Sequence, residues 1–268
     1  MTINTGYRGS DCGISVGTTF LKRIQSAEFN RIIPTEQAEE MGRGTAVGVI
    51  QGTIQYTARL TANTIANADL ENALSGATNP SLDDYKDAAG VTVKGPHGGI
   101  TVAKVMSIEY RAQAGTGAMV TTVDMSGTGW TSGSVATPEV DLVTPGAYIG
   151  KDVVVTIGSQ VYRAQSIMVR AQLSREQLDE LGNAAPVGYG YDVPIVTCEL
   201  EIVHSDTAQP TLWLPSTPTD IVIAVNSTSK VLTVEGALST GQPTRGNVRG
   251  WATVRYSFQS ETGELTIA

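Results

Sequence analysis

The chain has 268 residues, of which 41% are hydrophobic, 16% are charged and 6% are aromatic. Its formal net charge of −8 argues against a nucleic-acid-binding protein, because affinity for a phosphate backbone depends on Lys and Arg displacing counterions. No stretch approaches the roughly 20 apolar residues that span a bilayer, and the initial MTINTGYRGSDCG lacks the basic and apolar regions of a secretory signal. We therefore expect a soluble protein that is made in a cytoplasm.

Short segments rich in Val, Ile and Thr, separated by many of the 29 glycines and 11 prolines, are typical of a mainly β protein. The length favours two domains over one. The two cysteines, Cys12 and Cys198, have neither metal-site nor disulfide-scaffold spacing, so we interpret them as reduced structural thiols. A single disulfide between the two halves is the alternative.

The first elements in chain order are a hairpin, a short helix and a strand. ISVGTTFLKRIQSAEF predicts a hairpin with a two-residue turn at Gly17-Thr18. PTEQAEEMG (34–42) predicts a helix that ends at Gly42 in the left-handed C′ position. A helix of about two turns is not stable alone, so it should dock on the rest of the module. TIQYTARLTAN then alternates with period two, so Ile54, Tyr56, Ala58 and Leu60 share one face, which predicts a half-buried antiparallel strand with one wet face.

The rest of the first half is less regular. NADLENALSG (67–76) predicts another short helix, followed by a polar loop through GPHGG (95–99) and by strands near 100–112 and 118–125. Residues 126–146 are rich in Gly, Ser, Thr and Pro and predict a linker. We place the domain boundary near residue 145, which gives domains 1–145 and 146–268.

A second copy of the early elements begins about half a chain later. Shifting the chain by 140 positions aligns residues 23–60 with 163–200, and 11 of the 38 pairs are identical where chance gives about two or three. SREQLDELG (174–182) is the copy of the first helix, with Ser174 and Gln177 as a capping box and Gly182 at C′. We interpret the repeat as a duplication; convergence on a similar helix-and-strand pattern is the alternative.

The strand that follows in this second copy, PIVTCELEIVH, keeps the phase of the first. Its members Val196, Cys198, Leu200 and Ile202 share one face. A turn at Gly158-Ser159 matches the one at Gly17-Thr18. IVIAVN, KVLTVEG and the closing ATVRYSFQSETGELTIA are further strand candidates.

Residues that could carry catalysis are scarce. His97 lies in a turn-rich loop and His204 ends a strand, and His204-Ser205-Asp206 cannot form a triad with one another because adjacent side chains of an extended chain point apart. A triad assembled from distant residues is the alternative. GTGAM (115–119) and GTGW (127–130) lack the strand–helix context of a phosphate loop, so we interpret them as connectors.

The carboxylates also lack a ligand pattern. EQAEE and LDDY do not have the alternating spacing of a calcium loop, which favours solvated helix faces. Asn226-Ser227-Thr228 fits a glycosylation pattern by chance. We therefore predict no catalytic, cofactor-binding or metal-binding residue, no cofactor and no enzymatic activity.

With its duplicated order of strand, acidic helix and long alternating strand, the chain resembles the tail tube (major tail) proteins of long-tailed bacteriophages, in a duplicated-module form. The resemblance rests on RIQSAEF, EQAEEMG and GTIQYTARLTAN, and on their copies RAQSIMV, EQLDELG and DVPIVTCELEIVHSD. It implies two tandem β-sandwich or barrel modules, each with a short flanking α-helix. In that family six modules form a ring whose continuous β-barrel lines the lumen.

The resemblance also implies a function and partners. Three chains of two modules would make a ring with pseudo-sixfold symmetry, and stacked rings would form the hollow tail tube through which DNA passes into the host. The protein would be a structural virion component, assembled in the host cytoplasm, with no membrane partner. Its partners would be copies of itself, a tape-measure protein, tail-end ring proteins and DNA that passes without specific binding.

The two polar strand faces, Thr53–Thr61 and Thr197–Glu201, are the candidate ring-lining or interface surfaces. Arg59 stands where the second copy has Glu199, which argues against a uniformly acidic lumen. The unlike segments 67–99 and 207–220 suggest that a long loop contacts the neighbouring ring in only one module. The alternatives are another phage ring protein of the same fold (distal tail, baseplate or tail terminator) and a two-domain adhesin. The missing signal and disulfides disfavour the adhesin.

Overall fold

Antiparallel strands form most of the chain, as its alternating sequence predicts. A computed structural model describes residues 13–21, 23–38, 48–63, 68–114, 119–133, 153–162, 164–203, 217–225, 230–241, 244–245 and 253–268. The prediction of a mainly β protein is confirmed. None of the helices in the described part is long and apolar enough to cross a membrane.

Residues 15–131 contain ten strands and two helices in the described part of the chain. They are β1 (Ser15–Val16), β2 (Thr19–Phe20), β3 (Ile24–Ile32), β4 (Thr35–Ala38), β5 (Gly48–Gln51), β6 (Gln55–Ala62), α1 (Ala68–Ser75), α2 (Leu82–Asp87), β7 (Val91–Gly95), β8 (Gly98–Gln113), β9 (Val120–Gly127) and β10 (Gly129–Thr131).

Residues 153–267 contain the remaining described strands. They are β11 (Val153–Ile157), β12 (Gln160–Tyr162), β13 (Ala164–Gln172), β14 (Arg175–Leu178), β15 (Gly188–Tyr191), β16 (Ile195–Val203), β17 (Thr219–Val225), β18 (Lys230–Gly241), β19 (Thr244–Arg245), β20 (Thr253–Ser260) and β21 (Leu265–Ile267).

One antiparallel sheet runs through both halves of the chain in the order β3, β6, β9, β8, β13, β16, β20 and then β18 with β19. We call it the long sheet. Its strands alternate between buried apolar and exposed polar residues, so one face covers the core and the other is polar. The predicted buried positions of β6 and β16 are confirmed: Tyr56, Ala58, Leu60, Val196, Cys198, Leu200 and Ile202.

The other strands, except those of the two hairpins β4–β5 and β14–β15, pack against the apolar face of the long sheet. β8 pairs through residues 98–103 with β7 and β10, and through residues 104–113 with β9 and β13, so it connects the two layers. β18 does the same in the second half, where it pairs with β17 and β21 before it reaches β20. The core between these layers is made mainly of aliphatic side chains, together with Tyr85, Tyr110 and Tyr256.

The strand bounds recur along the chain at the offset that the sequence repeat predicts. Adding 140 to Ile24–Ile32 gives Ala164–Gln172, and the same step takes β4 to β14 and β5 to β15. The β-bulge between Ile24 and Ser26 recurs between Ala164 and Ser166. Further along, an offset of 133 relates β9 to β20 and an offset of 134 relates β8 to β18, with bulges at Val105/Ser107 and Ser239/Gly241. We call residues that occupy the same pairing position in the two halves counterparts.

Among the described strands, every pairing except one has a counterpart pairing in the other half. The exception is β8 with β13, which joins residues 107–113 of the first half to residues 166–172 of the second. This pairing is the point at which the two four-stranded parts of the long sheet become continuous.

The two flanking helices predicted at 34–42 and 174–182 are wrong in their described parts. Residues 35–38 form β4, which pairs with β5, and residues 175–178 form β14, which pairs with β15. A helix of two turns leaves most of its backbone groups unpaired, whereas each hairpin pairs them across two strands. The predicted Ser174 capping box is therefore wrong as well, and Gly42 lies outside the described residues. Gly182 does adopt a positive φ of 91°, but in a turn and not at a helix end.

The expectations for the region between residues 67 and 146 have different outcomes. The helix at 67–76 is confirmed as α1, but the polar loop expected before GPHGG is wrong, because α2 and β7 occupy it. LDDY is the start of α2, where Ser81 and Asp84 form a capping box. GTGW and the first residues of the predicted linker are the end of β9 and β10, not a connector. The boundary near 145 lies outside the described residues.

Both predicted two-residue turns are confirmed. Val16 pairs with Thr19 across Gly17-Thr18, and Ile157 pairs with Gln160 across Gly158-Ser159. Gly17 and Gly158 have φ values of 59° and 61°, a left-handed conformation that glycine adopts without a steric penalty.

Candidate assembly surface

The two predicted polar strand faces are both part of the polar face of the long sheet. The structure brings the 55–61 and 197–201 faces onto one side of one sheet, with β9, β8 and β13 between them. Its ionisable members with described side chains are Glu28, Arg59, Lys104, Glu109, Arg111, Asp124, Arg170, Glu199, Glu201 and Arg255.

Six of the acidic and basic groups on this polar face form three ion pairs. Arg59 Nε lies 3.5 Å from Asp124 Oδ1, and Arg255 Nη2 lies 2.6 Å from Glu199 Oε2. Arg111 forms an ion pair with Glu109. These side chains are partly exposed, so the pairs contribute little to stability, but they leave no large area of a single charge. The surface is therefore polar with mixed charge rather than uniformly acidic.

The junction between β8 and β13 is a regular antiparallel ladder. It runs from Ser166 opposite Gln113 to Gln172 opposite Ser107 without a bulge. The ladder continues at both ends, because the Ala114 amide donates to the Gln165 carbonyl at 2.7 Å and the Leu173 amide donates to the Met106 carbonyl at 2.9 Å. The β8 edge of the first half and the β13 edge of the second half therefore match in register over the whole ladder.

The long sheet ends at two open edges in the described part of the chain. At one end β3 pairs only with β6. At the other end β19 and the last residues of β18 pair only with β20. Open edges present unpaired N–H and C=O groups, which natural monomers usually shield. The side chain of Ile32, at the end of β3, is 49% exposed.

The hairpin of β14 and β15, which we call the second arm, lies across the first half of the chain. Buried Arg175 donates through Nε to the Val105 carbonyl and through Nη2 to the Tyr85 carbonyl, both at 2.7 Å. Tyr189 Oη contacts Ser126 Oγ at 2.7 Å and donates to the Gly127 carbonyl at 2.9 Å. The Arg175 guanidinium also stacks over the Tyr191 ring.

The turn of the second arm makes a further contact with the first half. The Ile54 amide donates a 2.9 Å hydrogen bond to the Ala184 carbonyl. Residues 179–184 and 51–54 line a shared groove at this position. The second arm therefore reaches well beyond its own half.

The hairpin of β4 and β5, which we call the first arm, is the counterpart of the second arm, but in the described part of the chain its apolar residues are exposed. Ile33 is 41% exposed, whereas its counterpart Leu173 is 3% exposed. Val49 is 64% exposed, whereas its counterpart Tyr189 is half-buried and hydrogen-bonded. Ile50 is exposed as well.

A buried polar cluster lies beneath the first half of the long sheet. Tyr110 of β8 donates a hydrogen bond to Glu71 of α1, and both side chains are buried. Burial raises the pKa of Glu71 to about 8, against the opposing effects of the Tyr110 hydrogen bond and of Lys230. Burial also raises the pKa of Tyr110 and of Tyr85 well above the ordinary value. The cluster is internal and offers no access to a substrate.

The histidines and cysteines do not form a site in the described residues. His97 is exposed in the turn between β7 and β8, as expected. Cys198 is buried and unbridged, and its burial raises its thiol pKa. His204, Ser205, Asp206 and Cys12 lie outside the described residues. Within the described ranges no group of three His, Cys, Asp or Glu side chains could hold a metal ion.

Sequence reasoning missed the two open edges and the two arms. The signal that could have found them is the repeat itself, since the pairing inside one half predicts which strands of the other half need a partner. A comparison with models of protein families and a comparison with curated proteins both find no match for this sequence.

Proposed function

We propose that this chain is a non-enzymatic structural subunit that assembles edge to edge into closed rings, and that the rings stack into the tail tube of a long-tailed bacteriophage. The proposal treats residues 1–145 and 146–268 as two tandem modules that arose by duplication. One observation carries it: the β8–β13 pairing joins the halves and is the one described strand pairing without a counterpart.

The repeat predicts which residues a counterpart of the β8–β13 pairing would join. In the junction Gln172 lies opposite Ser107. The counterpart of Gln172 at the offset of 140 is Ile32, and the counterpart of Ser107 at the offset of 134 is Gly241. Ile32 and Gly241 lie on the two open edges of the long sheet, so they would meet only between two copies of the chain.

The same correspondence between the two halves supports a closed assembly. Each copy would offer β3 to one neighbour and the β18–β19 edge to the other, which is a heterologous contact that forms rings when the rotation closes. In a ring of three copies, six similar junctions would alternate within and between chains. The edges that a monomer leaves open would all be paired.

The polar face of the long sheet suits the wall of a channel for DNA. Of the four arginines on this face whose side chains are described, Arg59, Arg111 and Arg255 are each paired with a carboxylate, so these three are poorly placed to bind phosphates. The fourth, Arg170, is exposed. Passage without binding needs few free cations, because phosphate affinity rests on them. The partners would be copies of this chain, a tape-measure protein and tail-end ring proteins.

A cysteine pair tests the junction directly. In a Cys12→Ser background we would combine Ile32→Cys with Gly241→Cys; a Cβ at Gly241 has nothing within 4 Å. Directly paired antiparallel residues have the Cα separation that a disulfide needs. We expect oxidation of the assembled protein to give covalent oligomers ending at three chains.

The single-cysteine variants and the pair Ile32→Cys with Thr233→Cys serve as controls, because Thr233 lies inside the sheet between Val222 and Thr266. Electron microscopy of the same samples should show rings or stacked hollow tubes. A stable monomer at high concentration, with no rings at any salt concentration, would contradict the proposal. Rings that never stack would favour a distal-tail, baseplate or tail-terminator protein instead.

A further inference from the structure

The strands of the two arms correspond at an offset of 140, but the two arms differ in what covers them. The second arm lies on residues of β8, β9 and α2 that belong to the other half of its own chain. The first arm follows β3, which is at the end of the long sheet. Among the described strands, no other half of the same chain lies beyond β3 to receive this arm. The apolar residues Ile33 and Val49 are exposed where their counterparts are covered.

The residues that contact the second arm have counterparts in the second half, and these counterparts form the surface that would cover the first arm. Val105, Ser126 and Gly127 receive the second arm, and their counterparts are Ser239, Gln259 and Ser260. These residues lie on β18 and β20, at the far edge of the long sheet. They would come next to the first arm only if a second copy paired its β18–β19 edge with β3.

We infer that the first arm of each copy lies across β18 and β20 of the neighbouring copy and that Ile33 and Val49 become buried there. The inference rests on the proposed ring. It adds a second contact to each intermolecular junction, beyond the edge-to-edge hydrogen bonds. The occupant of the surface is a second copy of this chain.

Exposed apolar residues on the receiving half support this assignment. The second arm's turn contacts the first half at Ile54, whose counterpart is Pro194. The neighbours of Pro194 are Val193 and Ile195, which are both exposed in the single chain. Apolar residues on both sides of a predicted contact are what hydrophobic association requires.

The first arm lacks the polar anchors of the second. Thr35 stands where the second arm has buried Arg175, and Val49 stands where it has Tyr189. The intermolecular contact would therefore depend mainly on apolar burial. That makes a charged substitution at Val49 a sharp test, because burying an unpaired carboxylate is strongly unfavourable.

The first experiment compares Val49→Asp with Val49→Tyr and with Ile50→Asp, a change at an exposed residue on the opposite face of the same strand. We expect all three monomers to unfold as the unmodified protein does, because both positions are exposed in the single chain. Val49→Asp should raise the concentration needed for ring assembly by about tenfold or more. Val49→Tyr and Ile50→Asp should leave it within about threefold of the unmodified protein.

The second experiment measures access to the arm directly. In the Cys12→Ser background, Val49→Cys should react with a maleimide in the monomer and be protected in assembled rings. Asp83→Cys, at an exposed position on α2, should react in both states. The inference is overturned if rings form and Val49→Cys remains reactive in them, or if Val49→Asp assembles normally. Failure of the unmodified protein to form any ring would instead overturn the proposed function.

Discussion

The hydroxyl of Tyr110 lies 2.8 Å from Oε1 of Glu71, and this hydrogen bond fastens helix α1 to strand β8 inside the core. Glu71 is 1% exposed, and burial raises the pKa of its carboxyl group to about 8 from an ordinary value of 4.5. At neutral pH the folded protein therefore holds Glu71 in its protonated form. β8 is also the strand that joins the two halves.

The raised pKa of Glu71 predicts that stability falls as the pH rises from about 4.5 to about 8. Over this range the folded state binds a proton that the unfolded state has released, so the free energy of unfolding falls by at most about 1.4 kcal/mol per pH unit from this group. Glu71→Gln should remove that part of the slope. Chemical denaturation at several pH values between about 5 and about 8 measures this slope.

Asp83→Asn is a suitable control for Glu71→Gln because Asp83 lies on the exposed side of a helix. It should leave the pH dependence of stability unchanged. If Glu71→Gln and the unmodified protein had the same slope across this window, the carboxyl group would not be protonated in the folded state.

Arg175 should be a major determinant of the second arm's position. Arg175→Met removes the hydrogen bonds to the Val105 and Tyr85 carbonyl oxygens, and we expect a loss of about 2–4 kcal/mol in the free energy of unfolding. The counterpart substitution Thr35→Met lies on an exposed arm and should change stability by less than about 0.5 kcal/mol. Equilibrium denaturation of the two variants provides the comparison, and equal effects would show that Arg175 does not hold the arm.

Gly182→Val should strain the turn of the second arm. Gly182 has a φ of 91°, which a β-branched residue adopts only at a cost of about 1–3 kcal/mol, although there is open space around a Cβ at this position. Because the turn contacts the first half near Ile54, we also expect weaker ring assembly. Thermal unfolding and electron microscopy are the measurements.

Gly48→Ala is the matched control for Gly182, since Gly48 is also on an arm and also has open space, but without a positive φ. It should be tolerated. A Gly182→Val variant that is as stable and as competent for assembly as the unmodified protein would show that the turn conformation is unimportant.

The alternation of residues was sufficient to predict which side of several strands is buried. Tyr56, Ala58 and Leu60 are buried as predicted, because side chains of a strand alternate between its faces and burial of one face fixes the phase. The turns at Gly17 and Gly158 were predictable for a similar local reason, since a tight hairpin turn requires glycine or a residue like it.

The arms were not predictable from local patterns. EQAEE and EQLDE have the composition of a helix, but the described residues 35–38 and 175–178 are strands. Intrinsic preferences for a helix amount to a few tenths of a kcal/mol per residue over so short a stretch. Pairing with β5 and β15, and for the second arm the contacts of Arg175 and Tyr189, outweigh such preferences.

By itself the sequence determined the phases of β6 and β16 and the two tight turns, because these depend on neighbours in the chain, and it contains a repeat at an offset of 140. Only the tertiary structure decided that β8 pairs with β13 and that, among the strands it describes, β3 and the β18–β19 edge have no partner on their outer side. Partners far apart in the chain are chosen by register and packing over the whole sheet, which no local pattern encodes. Ile32 and Gly241 look unrelated in the sequence, and only the counterpart pair Gln172 and Ser107 shows why they would meet.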